Sequence, residues 1–358
     1  MPGVYLSYPF CAQKCTYCNF ASGVFPRELE SRYADSLLAE LHGAEWPWTP
    51  ETVYLGGGTP SQMDPDALAI LLAEIPGREW AEATIEVAPG SITGEKAAAW
   101  RRAGINRVSL GVQSFISKEL SRTGRKHTAK TVVEDVAMLR DSGIRNINLD
   151  LIAGLPFQTR ESWNASLEWI ERIGAPHVSV YMLEVDDDSN LGRELLVLGS
   201  RYGAGAVPCE DHIAEFYETA VDRLKSIGVI RYEISNFACE GFESRHNLKY
   251  WRREPYLGFG ADAHSFDGES RWQNAESAAD YCYPRAIEKT PADPTSERFF
   301  LGLRLTEGIE APWEPFADAI RQFITDGLLE QSGARVRLTP RGVMLSNEVF
   351  QEFVGVTA

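Results

Sequence analysis

The first 228 residues alternate between short apolar segments and longer amphipathic ones, and this alternation limits the folds open to the chain. The apolar segments predict six strands, over residues 4–7, 52–55, 84–87, 107–111, 147–152 and 178–183. The amphipathic patterns predict helices over residues 29–42, 65–75, 94–103, 130–142, 160–173 and 211–227. Repeated strand–helix units are typical of a parallel sheet covered by helices. The sequence therefore predicts an α/β fold.

An eight-fold barrel would need more such units, whereas the alternation loses its regularity after Gly228. We therefore predict an incomplete (β/α)6 TIM-like barrel over residues 1–228 and a mixed extension over residues 229–290. A proline-marked stretch near residues 291–294 predicts a linker, and residues 295–358 predict a smaller C-terminal α+β domain. Its two helical patterns precede a strand and turn over residues 335–342, which is open to a winged-helix interpretation. A lid or docking role is favoured over DNA binding there.

The chain is strongly acidic, because 51 Asp and Glu residues against 35 Lys and Arg give a formal net charge of -16. Such a surface repels phosphate backbones, which argues against nucleic acid as a partner. No segment has the roughly 18 uninterrupted apolar residues of a membrane span, and the N-terminus lacks a signal-peptide pattern. The scattered Cys209, Cys239 and Cys282 are interpreted as reduced thiols, so we expect a cytoplasmic protein.

Three of the six cysteines, Cys11, Cys15 and Cys18, follow the first predicted strand at C-x3-C-x2-C spacing. Thiolates packed this densely usually hold a metal. Zinc requires four tetrahedral ligands, and the next histidine is only at His42. An iron–sulfur cluster with three thiolate ligands keeps one iron open for a small molecule. Two alternatives stay open: a redox pair with a spare thiol, and a zinc site completed by a distant residue.

A glycine run, Gly56-Gly57-Gly58-Thr59-Pro60, ends the second predicted strand and has neither the Walker nor the Rossmann spacing. Glycines there allow the backbone to approach a ligand, although a tight turn explains them equally well. Glu86 lies on a strand that is otherwise suited to burial, so its carboxylate must find partners.

Three further polar residues, Gln113, Arg125 and Asp150, are expected at or beyond the ends of the next strands. Active sites of parallel α/β barrels lie at the carboxyl ends of their strands. Each residue, taken singly, is also explained as a structural polar group that has found partners.

At the cysteines the sequence resembles the radical S-adenosylmethionine (SAM) superfamily, with Tyr17 as the aromatic residue before the last cysteine. The resemblance implies a [4Fe–4S] cluster on Cys11, Cys15 and Cys18, SAM on the fourth iron, and the incomplete barrel predicted above. It also implies that the glycine run contacts SAM.

Over nearly the whole chain the sequence is similar to the oxygen-independent coproporphyrinogen III oxidase branch of this superfamily, from the Tyr8-Pro9-Phe10-Cys11 entry to Gly154-Leu155-Pro156. This similarity implies SAM contacts for a set of eight residues: Tyr5, Gly57, Gly58, Thr59, Glu86, Gln113, Arg125 and Asp150. Some members bind a second SAM, and Gln113, Arg125 and Asp150 belong to the part that would contact it.

Two departures distinguish the chain from the oxidase itself: Phe20 stands where the oxidase has a further cysteine, and no extension precedes the first strand. His246-Asn247-x-x-Tyr250-Trp251 instead resembles a motif of the HemW-type haem chaperones. That resemblance implies haem as a ligand and His246 as a haem-related residue, because imidazole ligates iron and aromatic rings pack on porphyrins. A core histidine among aromatics is the alternative, and His264 is a weaker candidate for the same cleft.

The preferred interpretation is a haem chaperone that holds the cluster, SAM and haem and delivers haem to a recipient protein. The alternatives are coproporphyrinogen III oxidation by SAM radical chemistry, and a radical SAM enzyme with an unrelated substrate. Further expected partners are an electron donor such as flavodoxin or ferredoxin, and a membrane surface contacted through the recipient.

Overall fold

The structure is a computed structural model that describes residues 1–354. Its centre is a set of parallel strands: β1 (Gly3–Tyr8), β2 (Thr52–Gly57), β3 (Glu82–Val87), β4 (Arg107–Gln113), β5 (Asn146–Ala153) and β6 (His177–Met182). Each pairs in parallel with the next, so their carboxyl ends meet at one edge. The predicted incomplete (β/α)6 barrel is confirmed.

One or two helices follow each of these strands: α1 (Arg27–His42), α2 (Pro65–Ala73), α3 (Gly94–Arg102), α4 (Ser117–Arg122), α5 (Ala129–Asp141), α6 (Arg160–Ile173), α7 (Asn190–Leu196) and α8 (Glu210–Ser226). Short 3-10 turns lie at Pro60–Gln62 and Arg201–Ala206. The sequence did not predict α4 and α7, which are only 6 and 7 residues long. The threonine caps of α5 and α6, Thr128 and Thr159, form capping boxes that fix where those helices begin.

The two faces of the central strands differ in chemistry. Val4, Leu6, Val53 and Leu55 alternate along β1 and β2 and are buried in the hydrophobic core with the helices. The other face carries polar side chains in register, with Tyr5 opposite Tyr54 and Glu86 opposite Ser109. This polar face lines the inside of the barrel.

The extension contributes β7 (Ile230–Arg231), β8 (Asn236–Ala238), α9 (Arg245–Trp251), β9 (Tyr256–Phe259), β10 (His264–Phe266), β11 (Ser270–Gln273), α10 (Ala278–Tyr281) and β12 (Thr290–Pro291). Within residues 1–354 the sheet has 12 strands in the order β12-β11-β10-β9-β1-β2-β3-β4-β5-β6-β8-β7. β9 pairs in parallel with β1, Gly3 opposite Tyr256, so a late segment flanks the first strand.

The C-terminal part comprises α11 (Pro294–Gly302), β13 (Ile309–Glu310), α12 (Ala317–Thr325), β14 (Leu329–Ser332), β15 (Arg335–Leu338), α13 (Pro340–Met344) and α14 (Ser346–Gln351). Its three strands form a separate antiparallel sheet in the order β13-β15-β14. Phe299, Phe316 and Phe353 pack together with ring centroids 4.8–5.3 Å apart. Among the described residues, no helix is long and apolar enough to cross a membrane.

Regular structure lies on both sides of residues 291–294, since Pro291 ends β12 and the Asp293 carboxylate accepts N–H groups at the start of α11. A linker between two domains here stays a prediction. One local prediction for this region is corrected. The turn expected after β15 is the helix α13, which begins at Pro340 and is capped by the Thr339 hydroxyl.

Candidate functional site

The cysteine loop, residues 9–23, follows β1 and is closed at its base by backbone hydrogen bonds. The Cys11 N–H donates to the Gly23 carbonyl at 2.8 Å, and the Gly23 N–H donates to the Pro9 carbonyl at 2.9 Å. All three thiols are half-buried and outside any disulfide. Burial raises the pKa of the Cys11 thiol, and hydrogen bonds with Thr59 and Ser22 partly oppose this increase. A thiolate at Cys11 therefore favours a positive partner such as a metal.

The glycine run holds this loop in place. The Gly58 N–H donates to the Tyr8 carbonyl at 2.8 Å, and the Thr59 N–H donates to the Phe10 carbonyl at 2.9 Å. A Cβ on Gly58 would lie 2.7 Å from the Phe10 carbonyl oxygen, closer than real contacts allow. Gly57 has φ +107°, which L side chains rarely adopt. Packing against the cysteine loop thus requires glycine here, independently of any ligand.

Residues 117–125 support the loop from its other side. The Thr16 N–H donates to the Thr123 carbonyl at 3.4 Å, and Arg125 lies beside Cys15 and Tyr17. Burial alone would lower the pKa of Arg125, but the neighbouring Tyr17 and Cys15 groups raise it above its ordinary value. Arg125 Nη1 donates to the Gly111 carbonyl at 2.6 Å.

Two buried polar atoms next to the loop, the Tyr17 hydroxyl and Arg125 Nε, have each other's side chains and Cys15 as neighbours, but no atom of residues 1–354 meets either of them with good hydrogen-bond geometry. Buried polar groups are normally partnered, so a polar ligand is the expected partner here.

Gln113 ends β4 in a strained conformation. Its φ is +66°, and the pairing of β4 with β5 shifts register between Leu110 and Gln113. A Cβ on Gly111 would lie 3.1 Å from Gln113 Nε2 and 3.6 Å from Arg125 Nη1, so Gly111 leaves room for both side chains. Strain and a bulge at the end of a parallel strand are features that recur next to functional sites.

Glu86 lies inside the barrel and has the partners that its burial requires. Its carboxylate accepts from the Tyr54 hydroxyl at 2.9 Å and from the Gly57 N–H at 3.2 Å. Burial raises its pKa to about 7; the hydrogen bond from Tyr54 opposes the shift and the charge of Asp150 adds to it. Tyr5, stacked on Tyr54 at 6.1 Å, is also close to this carboxylate.

Asp150 lies within β5 and not at its end, which corrects the sequence prediction. Its carboxylate accepts from Asn148 Nδ2 at 2.7 Å and from the Ser109 hydroxyl at 3.2 Å. Burial raises the pKa of Asp150, and hydrogen bonds from Asn148, Ser179 and Ser109 oppose the shift.

The structure brings most of the predicted residues together. The cysteines, Tyr17, the glycine run, Gln113 and Arg125 lie around the carboxyl ends of the strands, and Tyr5, Glu86 and Asp150 lie deeper on the polar face. Among the described residues, no three His, Cys, Asp or Glu side chains converge tightly enough to chelate a single metal ion. A cubane cluster binds each thiolate through a different iron. Three free thiols on one loop, beside buried polar groups, fit such a cluster with a polar ligand.

His246 lies at the opposite end of the barrel. Its Nδ1 is 2.8 Å from the hydroxyl of Thr52, the first residue of β2, and its Nε2 is 2.8 Å from the Tyr250 hydroxyl. The side chain is 0% exposed and stacks on Tyr54 at 5.3 Å. Burial, with the charges of Lys249 and Arg107, lowers its pKa to about 3. Both ring nitrogens are occupied, so the structure does not support His246 as a haem ligand; it has the contacts of a core histidine.

The α9 segment around His246 closes the amino end of the barrel. The Glu82 carboxylate accepts the N–H groups of Arg245 and His246, both at 3.0 Å, and lies 3.9 Å from Arg107. Glu82 and Arg107 begin β3 and β4, so the motif is tied to the starts of the strands. His264, in contrast, is exposed and begins β10. Because β10 follows the carboxyl end of β9, His264 lies at the same end of the sheet as the cysteine loop.

Comparison with known proteins identifies the family. Residues 5–170 match the radical SAM superfamily, and residues 290–345 match the HemN C-terminal domain. The heme chaperone HemW of Bacillus subtilis is 32% identical, over 99% of this chain and 100% of that protein. HemW of Mycobacterium tuberculosis (strain H37Rv) is 35% identical, over 99% and 95%. This chain belongs to the HemW family of the radical SAM superfamily.

The HemW family relationship also fits the three-dimensional comparison. Coproporphyrinogen III oxidase (HemN) from Escherichia coli, described as a radical SAM enzyme, superimposes with a TM-score of 0.82 over 98% of this chain and 89% of that one. At 21% identity this likeness shows the fold alone. Radical SAM proteins use a [4Fe–4S] cluster together with SAM, so these are the cofactors of this chain.

Several inward-facing residues were missed by the sequence interpretation. Tyr54 holds Glu86, and Ser109 and Asn148 hold Asp150. The available signal was the alternation of polar and apolar residues along each strand, which places every second residue on the inner face.

Proposed function

We propose that this protein is a haem chaperone, which binds haem and passes it to a recipient protein while holding a [4Fe–4S] cluster and SAM. The observation that carries the proposal is the full-length similarity to proteins named heme chaperone HemW. Phe20 supports it, because this residue is 67% exposed at the position where the oxidase branch has a further cysteine.

The cofactor site of the proposal is the carboxyl end of the sheet. The cluster would be held by Cys11, Cys15 and Cys18, which the glycine run and residues 117–125 position from two sides. SAM would be held by Tyr5, Tyr17, Gly57, Gly58, Thr59 and Glu86, and the part for a second SAM by Gln113, Arg125 and Asp150. When bound, the cluster and SAM would together supply reductive radical chemistry at this end of the sheet.

The chain's own groups contribute position and charge at this site. The Gly57 N–H and the Tyr54 hydroxyl fix the Glu86 carboxylate, which can share charge with the cationic part of SAM. The unpartnered Arg125 Nε and Tyr17 hydroxyl supply hydrogen-bond donors beside Cys15. These roles are supported by their burial and by their common location around the cysteine loop.

The proposed partners follow from the cofactors and the cargo. An electron donor such as flavodoxin or ferredoxin would reduce the cluster, and a recipient, including one at a membrane surface, would accept haem. We place the protein in the cytoplasm, because among the described residues none of its cysteines forms a disulfide. Nucleic acid is not a proposed partner at a net charge of -16.

Oxidation of coproporphyrinogen III is the second candidate, favoured by the match of residues 290–345 to the HemN C-terminal domain. One experiment separates the two. The protein is reconstituted anaerobically with iron and sulfide, then assayed in parallel for haem binding and for turnover of coproporphyrinogen III with SAM and a reductant. We expect a haem spectrum and no vinyl-containing product. Product at catalytic turnover would contradict the chaperone proposal, and so would the absence of haem binding by the wild-type protein.

A further inference from the structure

A large cleft lies on the outer side of the sheet, at the same end as the cysteine loop. It has a volume of about 1060 Å³ and is lined by α1, by the β10–β11 ribbon and by the segment that joins α10 to β12. Ligand pockets in proteins usually measure about 300–1,000 Å³. The cleft is therefore large enough for a bulky cofactor-sized molecule.

The strap, residues 283–290, forms one wall of this cleft and is held mainly by polar contacts: Arg32 lies 5.6 Å from the centre of the Tyr283 ring, and Lys289 pairs with Asp267 at 3.1 Å. Every strap residue is exposed, including the large apolar side chains Tyr283 at 63% and Ile287 at 48%. The strap is anchored at both ends, by the Tyr283 N–H to the Asp280 carbonyl at 3.1 Å and by β12 pairing with β11. The strap is thus fixed at both ends and exposes apolar side chains toward the cleft. These side chains form a surface that a flat apolar ligand can cover.

His264 gives the cleft a metal ligand. Its imidazole lines the cleft, is exposed, and makes no hydrogen bond or ion pair to any residue in the described part of the chain. A free imidazole of this kind can ligate iron, unlike His246, whose ring nitrogens both have partners.

The remaining lining is mixed, with aromatic, basic and acidic side chains. Trp272 and Tyr283 line the cleft and each has one face left for a flat ligand, because Lys289 lies 3.9 Å from the centre of the Trp272 ring and Arg32 lies 5.6 Å from that of Tyr283. Arg285 also lines the cleft, and within residues 1–354 it has no ion pair, so it is available for a propionate. Four carboxylate side chains line the same space: Glu40, Glu276, Asp280 and Glu288. We therefore expect binding to depend on iron ligation and apolar contact more than on net charge.

An aromatic row connects the cleft to the cysteine loop. Phe10, next to Cys11, packs against Tyr33 at 5.2 Å, and Tyr33 packs against Tyr281 at 4.9 Å between ring centroids. Tyr281 lines the cleft, where its hydroxyl donates to Glu40 at 2.5 Å. The cluster loop and the cleft thus share one continuous set of packed rings.

We propose that this cleft binds haem, with the His264 imidazole on the iron and the strap against one porphyrin face. The inference rests on the proposed function, because it supplies the site for the cargo of a haem chaperone. The proposed haem site is therefore at the end of the sheet that carries the cysteine loop, and not at the amino end of the barrel, where His246 lies.

The test is a titration of the full-length, cluster-loaded protein with haemin under anaerobic conditions, read as difference spectra against the cluster alone. His264→Ala should shift the Soret band and weaken binding by about tenfold or more, ~1.4 kcal/mol. Ile287→Asp should weaken binding without moving the band, since it alters the strap and leaves the ligand. His212→Ala, an exposed histidine on α8, is the matched control and should behave as wild type.

The outcomes separate this inference from the proposed function. A wild-type protein that binds no haem contradicts the chaperone proposal itself. Wild-type binding that His264→Ala leaves unchanged in band position and affinity overturns the cleft assignment alone. Weaker binding by His264→Ala with an unmoved band overturns the ligand role of His264. Circular dichroism of each variant checks that these surface changes preserve the fold.

Discussion

At the scale of single residues, the polar face of the barrel contains two buried carboxyl groups, Glu86 and Asp150. Burial favours the protonated form of both. Glu86 and Asp150 each have a raised pKa, and each is held by hydroxyl or amide donors from neighbouring strands. A buried group that can ionise lowers the stability of the fold. Functional sites commonly contain such groups.

Glu86→Gln tests this cost through the pH dependence of stability. Folding raises the carboxyl pKa from 4.5 to about 7, so the stabilisation from protonated Glu86 is complete below about pH 4.5 and is lost as the pH rises through about 7. The wild-type free energy of unfolding should therefore fall relative to the variant by up to about 3 kcal/mol between about pH 5 and about pH 8. Urea denaturation of both cluster-free proteins measures it, and parallel pH profiles would contradict the assignment.

Gly58→Ala tests the contact between the glycine run and the cysteine loop. The added methyl group would meet the Phe10 carbonyl at 2.7 Å, so the loop must shift and retain less cluster. We expect iron and sulfide content after reconstitution to drop by half or more, roughly, because a shift of this size misplaces the thiolates. Gly94→Ala is the control, since within the described structure a Cβ there meets nothing within 4 Å. Equal cluster content in both variants would disprove the role of Gly58 in holding the loop.

At the scale of elements, α9 closes the amino end of the barrel. His246→Ala removes a fully buried ring together with its contacts to Thr52, Tyr250 and Tyr54. The free energy of unfolding should fall by about 2–5 kcal/mol, as for other large-to-small changes in a core. Denaturant titration measures the loss, with His212→Ala as the exposed control. A change in the free energy of unfolding below about 0.5 kcal/mol would show that the contacts of His246 are unimportant for stability.

The elements also show which parts of the molecule the sequence could predict. Strand–helix alternation predicted the order and approximate bounds of β1–β6, because apolar periodicity is local. The placement of His246 was not predictable, because its motif matched a haem-binding pattern while its contacts come from Thr52, 194 residues earlier. The positive φ of Gln113 likewise arises from a register shift between two strands, which no single segment records.

At the scale of the whole molecule, the barrel and its extension depend on each other. Residues 1–228 alone would lose β9 beside β1, and Glu82 would lose the three groups that donate to it from Ser244, Arg245 and His246. We expect this fragment to unfold without a cooperative transition and to bind hydrophobic dyes, whereas the full chain gives a sharp transition. A fragment that melts as sharply as the full chain would show that the barrel is self-sufficient.

The pairing of β1 with β9 also has a consequence for biosynthesis. Gly3 is made well before its neighbour Tyr256, which follows it 253 residues later in the chain. At about 5–20 residues per second, the thiols emerge roughly 10–50 s before the strand that carries them is flanked on both sides. Cluster assembly on the nascent chain would act on an unfinished scaffold. We therefore expect the iron–sulfur machinery to load the chain only after β9 has been made and paired with β1.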